Sequence, residues 1–252
     1  MNITTQKTAL ITGAGTGIGK AICMCLENAG VRIIAASRNT LHLAEIESTL
    51  KHDNHIMLNI DLTTSVGKAT LLGCLQENGM PHIVVCNLST SSTRKKLLHL
   101  APLIDESGIT ENISHLLTIM PEVINFQRSQ NFGRWIGISS MSPHFGIPGM
   151  AIYNMQKGVL ENCFKTLASE EGKNGITANI IAPGLIATLA LINTYSPEEL
   201  AKRKLENVMH RIGSPNDIAA AVAFLASENA GFITGITLPV NGGNHLGWQY
   251  IN

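Results

Sequence analysis

Short runs of β-branched and other apolar residues alternate along the chain with longer amphipathic stretches. The runs are Thr8–Thr12, Val31–Ala36, Ile56–Ile60, Ile83–Cys86, Trp135–Ser139, Thr177–Ile181 and Ile236–Val240. Several are apolar at every position rather than every second one, the pattern of strands buried on both faces of a sheet. Between them, apolar residues recur at helical spacing over Ile18–Ala29, Leu41–Lys51, Val66–Asn78, Ile113–Gln127 and Ile152–Glu171. A further helix opens at Ser214-Pro215, a capping serine followed by proline at the first helical position, and continues through Leu225. Alternation of this kind predicts an α/β fold: a doubly wound, Rossmann-type parallel sheet with helices on both faces. With no internal repeat or linker, residues 1–252 read as a single domain. Residues 90–108 and 185–213 follow neither period. The second stretch precedes the last helix and strand and reads as a substrate lid.

Composition narrows the function classes. A chain of 252 residues with 44% hydrophobic content can bury a large core. Its 18 basic residues balance its 18 acidic ones, so no basic field points to nucleic acid or an anionic membrane. No apolar run is long enough to span a bilayer. The five cysteines (23, 25, 74, 86 and 163) form no C-x-x-C pair, and the nine histidines lack the spacing of a zinc helix, so no metal is expected. Such cysteines read as small buried hydrophobes in a reducing compartment. No signal peptide precedes the first strand, and a cytoplasmic protein is expected.

The candidate chemistry lies at two places. Tyr153 and Lys157 are four residues apart and share a helix face, presenting a phenol and an ammonium to one pocket. A nearby cation favours the phenolate, which is one way to build a proton-transfer group from tyrosine. At the other end, Thr12-Gly13-Ala14-Gly15-Thr16-Gly17-Ile18-Gly19 links the first strand to the first helix. Glycines there let the backbone turn sharply and approach a pyrophosphate at the positive end of the helix. After the second strand come Ser37 and Arg38, with no carboxylate beside them. A guanidinium binds phosphate through charge-assisted hydrogen bonds, so a 2′-phosphate and hence NADP(H) is favoured. Asp61 and Leu62, after the third strand, suit an adenine edge and face; Asp61 equally suits a turn cap.

Taken in order, these residues resemble the short-chain dehydrogenase/reductase family in its compact form, across nearly the whole chain. Thr12–Gly19 is similar to the family's T-G-x-x-x-G-x-G turn, and Tyr153 with Lys157 to its Y-x-x-x-K. Ser140 stands thirteen positions before the tyrosine, and Asn112 twenty-eight before the serine, as the family's catalytic serine and asparagine do. Asn179–Thr188 resembles the N-x-I-x-P-G-x-x-x-T segment, and residues 211–218 and 234–243 resemble the family's closing helix and strand. The loop Cys86-Asn87-Leu88-Ser89 departs from the family's N-N-A-G, which leaves open that it sits differently. Gln156 replaces a serine, and Thr16 stands where NADP-dependent members often carry a basic residue.

The resemblance implies a carbonyl reductase in which Tyr153 gives a proton to the substrate oxygen and Ser140 hydrogen-bonds it. Lys157 would bind the nicotinamide ribose and depress the tyrosine, and Asn112 would hold a relay water. It also implies cofactor contacts at Gly13, Thr16, Gly17, Ile18, Gly19, Ser37, Arg38, Asp61, Leu62, Asn87, Pro183, Gly184, Ile186 and Thr188, besides Tyr153 and Lys157. Ser140, His144, Met150 and Tyr153 would face the substrate. Met141, Phe145 and Ile147 after the serine, with Leu185, Leu189, Leu191, Ile192 and Tyr195 from the lid, would line an apolar pocket. The substrate class is a ketone or β-ketoacyl group, carrier-protein-linked if Arg94-Lys95-Lys96 meets an acidic carrier. The C-terminal tail, with Trp248 and Tyr250, would form an apolar patch suited to a subunit interface. A homotetramer or dimer is expected. The competing readings are an NAD-linked secondary alcohol dehydrogenase and a non-catalytic dinucleotide-binding scaffold; a nucleotide-sugar epimerase lacks room for its substrate domain.

Overall fold

Every residue from Thr8 to Thr12 is buried, and this run forms β1 in the interior of the sheet. The computed structural model describes residues 6–89, 96–100 and 106–246. Six further strands follow: β2 (Arg32–Ser37), β3 (Ile56–Asn59), β4 (Ile83–Cys86), β5 (Gly133–Ile138), β6 (Ile176–Pro183) and β7 (Thr237–Val240). They pair in parallel in the order β3-β2-β1-β4-β5-β6-β7. Each predicted strand is present, with its ends displaced by at most two residues.

The helices are α1 (Gly17–Asn28), α2 (Thr40–Glu47), α3 (Ser65–Asn78), α4 (Leu97–Leu100), α5 (Glu106–Gln130), α6 (Ser142–Phe145), α7 (Ala151–Glu171), α8 (Leu189–Ile192), α9 (Pro197–Lys204) and α10 (Pro215–Ala226). Several depart from expectation. α2 stops at Glu47 instead of Lys51, where the Ser48 and Thr49 hydroxyls turn back onto the carbonyls of Glu45 and Ile46. α5 begins at Glu106, seven residues before the predicted start, because its first turns are largely polar and show no apolar stripe. The irregular stretch 185–213 contains α8 and α9, the latter opened by a capping box between Ser196 and Glu199.

Alternate strand residues feed two cores. Ala9, Ile11, Ile83 and Val85 pack under α1 and α10. Leu10, Val84 and Trp135 pack under α3, α5 and α7. The direction of strand addition reverses between β1 and β4, opening a crevice at their carboxyl ends, where ligands of such sheets bind.

Candidate active site

The glycine turn between β1 and α1 is shaped by contacts no side chain would allow. A Cβ on Gly19 would lie 2.2 Å from the Gly13 carbonyl oxygen, and one on Gly15 would meet Ser37 Oγ at 2.5 Å. Gly13 and Gly17 take positive φ, +64° and +53°. Thr16, the N-cap of α1, is exposed and extended, and its hydroxyl does not cap the helix. The helix therefore presents its amino end, with free N–H groups, to the crevice. The turn is stitched to β4: Asn87 Nδ2 donates to the Gly13 carbonyl at 2.8 Å, and the Asn87 and Leu88 N–H groups both donate to Thr12 Oγ1 at 3.3 Å.

At the end of β2, Arg38 is exposed and its guanidinium stands 3.7 Å from the Asp61 carboxylate. Asp61 also accepts the N–H and hydroxyl of Thr63, at 3.0 and 2.7 Å, and these bonds hold its carboxyl below the usual range. It is thus a turn cap. Leu62 differs from expectation. Its side chain is buried in the core beneath α3 and α5, so it has no face to offer an adenine ring.

Ser140 follows β5, and Tyr153 and Lys157 project from α7. Ser140 and Tyr153 both face the same cleft, and the Ser142 N–H donates to Ser140 Oγ at 3.1 Å. The Lys157 Nζ is 5.7 Å from the centre of the tyrosine ring and donates to the Ile138 carbonyl at 2.8 Å. Burial pushes the Tyr153 phenol above its ordinary value, and the Ser140 hydroxyl offsets part of that rise. The depression by Lys157 expected from the sequence does not dominate, because the phenol is desolvated and the ammonium is turned to the strand end. Burial brings Lys157 itself down to about 8, against the opposing pull of Cys86 and Glu161.

These groups open on one cleft of about 540 Å³. Its walls include Ile18, Asn87, Ser140, Tyr153 and Lys157, the β6 end (Pro183, Gly184, Ile186) and Thr188, so the two predicted sites are continuous. Met141, Phe145, Ile147, Met150, Leu185, Leu191 and Tyr195 supply apolar surface, as expected. His144, Leu189 and Ile192 do not line the cleft. His144 stays exposed and reaches instead toward Glu161, with Nε2 3.3 Å from its buried carboxylate. Asn112 also lies behind the wall: it is 1% exposed, and its Nδ2 donates to Gln156 Oε1 at 3.0 Å. Residues 94 and 95 of the basic cluster and the tail beyond Leu246 lie outside the described residues.

A family model described as enoyl-(acyl carrier protein) reductase matches residues 13–245. The chain is 34% identical over 244 residues to the 3-oxoacyl-acyl-carrier-protein reductase FabG of Rickettsia prowazekii, covering 95% of this chain and 97% of that one. It belongs to the short-chain dehydrogenase/reductase family. The FabG of Pseudomonas aeruginosa is likewise 34% identical, over 248 residues, 95% of this chain and 98% of its own. Among solved structures, YwfH, described as an NADPH-dependent reductase involved in bacilysin biosynthesis, has the same fold. It superposes with a TM-score of 0.85 over 95% of this chain and 98% of that one, at 23% identity.

As a short-chain dehydrogenase/reductase, the chain makes its departures locally. In the Cys86–Ser89 loop neither Leu88 nor Ser89 adopts a positive φ, and Thr12 Oγ1 holds the Asn87 and Leu88 N–H groups. Leu88 gains contact with the core under α3 and α5. Gln156 is buried and bridges two segments, accepting from Asn112 and donating to the Gly108 carbonyl at 2.7 Å. Sequence reasoning noted Gln156 only as a replacement and passed over Glu161. Arg203 and Asn207, from the far end of the lid stretch, also line the cleft, with Arg203 stacked on the Tyr195 ring at 4.3 Å. The only sequence signal for Glu161 was a carboxylate one turn beyond Lys157, on a helix face otherwise given to the site. Among the described residues no helix is long and apolar enough to cross a membrane.

Proposed function

We propose that this protein is an NADPH-dependent reductase that converts a ketone of the β-ketoacyl class to a secondary alcohol. The observation that carries the reading is the convergence of Ser140, Tyr153 and Lys157 on the cleft that begins at the glycine turn. The FabG relatives, named for 3-oxoacyl-acyl-carrier-protein reduction, support it, and extend it to a carrier-linked acyl chain against the apolar wall.

The residues fit the dinucleotide. The space a Cβ would fill at Gly15 and Gly19 is already taken by Ser37 and Gly13, so the turn stays bare, and the amino end of α1 would receive the pyrophosphate. Arg38, exposed and only loosely paired with Asp61, would bind a 2′-phosphate. When bound, NADPH supplies the hydride. Tyr153, whose phenol keeps its proton at neutral pH, gives that proton to the substrate oxygen. Ser140, whose oxygen accepts the Ser142 N–H, would turn its hydroxyl proton to the same oxygen, where charge develops in the transition state. Lys157 supplies positive charge beneath the phenol as its proton leaves.

The stretch 185–213 serves as the lid over the acyl chain within a single 1–252 domain. Five free thiols suit a reducing compartment, the cytoplasm. A homo-oligomer follows the family pattern. The test is titration with NADPH and NADH, followed by NADPH consumption on a β-ketoacyl thioester, carrier-bound or as an N-acetylcysteamine mimic. Tight NADPH binding with turnover supports the reading. A preference for NADH, or binding of neither, overturns it.

A further inference from the structure

The site rests on a buried carboxylate for which the reductase mechanism above has no role. Glu161 lies on α7 one turn beyond Lys157 and is 5% exposed. Its Oε1 accepts the Ser139 hydroxyl at 2.5 Å and faces His144 Nε2 at 3.3 Å. Ser139 immediately precedes Ser140, and His144 follows it by four residues, beside the cleft-lining Phe145. One oxygen therefore holds the chain on both sides of Ser140. A buried carboxylate is costly unless bonded or paired, whereas its helix neighbours Leu160 and Phe164 are ordinary core residues.

We propose that Glu161 is a positioning residue for the reduction: it clamps the Ser140 segment to α7, and its charge holds Lys157 as an ammonium. This rests on the reductase reading. The groups facing Lys157 are the Ile138 carbonyl from β5, the Cys86 thiol from β4, and Tyr153 and Glu161 from α7. Burial pushes Cys86 up to about 12 and raises Tyr153, so both are neutral near pH 7. Glu161, one turn beyond Lys157 on α7, is then the negative charge that offsets the burial of Lys157, while His144 faces Glu161 from α6.

The deciding experiment combines kinetics with NMR of protein labelled with [ε-13C]lysine, the Lys157 signal being assigned by its loss in Lys157→Met. Glu161→Gln should lower the Lys157 midpoint by about one pH unit or more. It should also cut kcat at pH 7 roughly tenfold or more while leaving NADPH affinity near wild type. Glu161→Asp, which keeps the charge, should restore the midpoint. A folded Glu161→Gln protein with unchanged midpoint and kcat would overturn the proposal. A lowered midpoint in a protein that turns over no ketone would instead remove the reductase reading and keep the hold on Lys157. Should Glu161→Gln not fold, Ser139→Ala and His144→Ala each remove one arm of the clamp. Loss of kcat in either supports the clamp, and full kcat in both overturns it.

Discussion

The Lys157 ammonium donates to the carbonyl of Ile138 at 2.8 Å while standing 5.7 Å from the centre of the Tyr153 ring. The lysine is thus fixed to the end of β5, the strand that also delivers Ser140, and not to the tyrosine. Phenol, hydroxyl and ammonium are held by one strand end and one helix. Their spacing changes only if β5 and α7 move apart.

Tyr153→Phe removes the proton donor and little volume. Turnover should fall by about 10²–10⁴-fold, the usual contribution of general acid catalysis. NADPH affinity, followed by cofactor fluorescence, should stay within a few-fold of wild type. Full activity in this variant would remove Tyr153 from the mechanism.

Ketone reduction should depend on the Lys157 proton. Below about pH 8 the ammonium is present; as pH rises through that value it is lost, and kcat for reduction should decline. Stability should move the other way. The unfolded lysine keeps its proton to about 10.5, so between about 8 and 10.5 unfolding takes up a proton and this group's contribution rises with pH. A pH–rate profile flat from 7 to 10 would contradict the assignment.

Arg38→Leu should raise the Kd for NADPH by about 10- to 100-fold, the range for a lost hydrogen bond to a charged group. NADH binding should change little. The comparison isolates the 2′-phosphate, because the two cofactors share every other contact.

His115 on α5 is fully buried, and neither ring nitrogen has a hydrogen-bond partner among the described residues. Burial pushes it down to about 3 from its ordinary value near 6.5. The folded protein keeps it neutral while the unfolded chain protonates it. Its contribution is therefore intact above about pH 6.5 and is lost progressively as pH falls towards 3. His115→Leu should relieve about 1–3 kcal/mol of unpaired burial. That corresponds to a rise in Tm of roughly 2–12 °C for a chain of this size. The rise should grow as pH falls from 7 to 5. Unchanged thermal melts at both pH values would contradict this account.

Most of the sheet was legible because its strands are apolar at nearly every position, a pattern that needs no partner to be read. The glycine turn and the Tyr153–Lys157 spacing were legible for a similar reason, since each is local. What escaped depends on pairings across the fold. Leu62 lies beside Asp61 in the turn before α3, yet its side chain packs into the core. His144 reads as a pocket residue until Glu161, seventeen positions on, is seen to face its ring. The polar start of α5 has no periodicity to detect, and Asn112 is placed there by Gln156, a bond between segments far apart in sequence.

Residues 185 and 213 meet at a narrow neck. The Gly213 N–H donates to the Leu185 carbonyl at 2.9 Å, the Ala187 N–H to the Gly213 carbonyl at 2.8 Å, and Ile186 and Gly213 form an isolated parallel bridge. Everything between them leaves the sheet and returns at nearly the same point, after β6 has ended and before α10 begins. That makes 189–212 a segment tied to the sheet through one neck. Length and sequence there can drift, or be grafted from a relative, without shifting the register of any strand or the hydrogen bonds that place Ser140, Tyr153 and Lys157. The strand ends and α7 that carry Ser140, Tyr153 and Lys157 thus take no strain from whatever the 189–212 segment does beyond its neck.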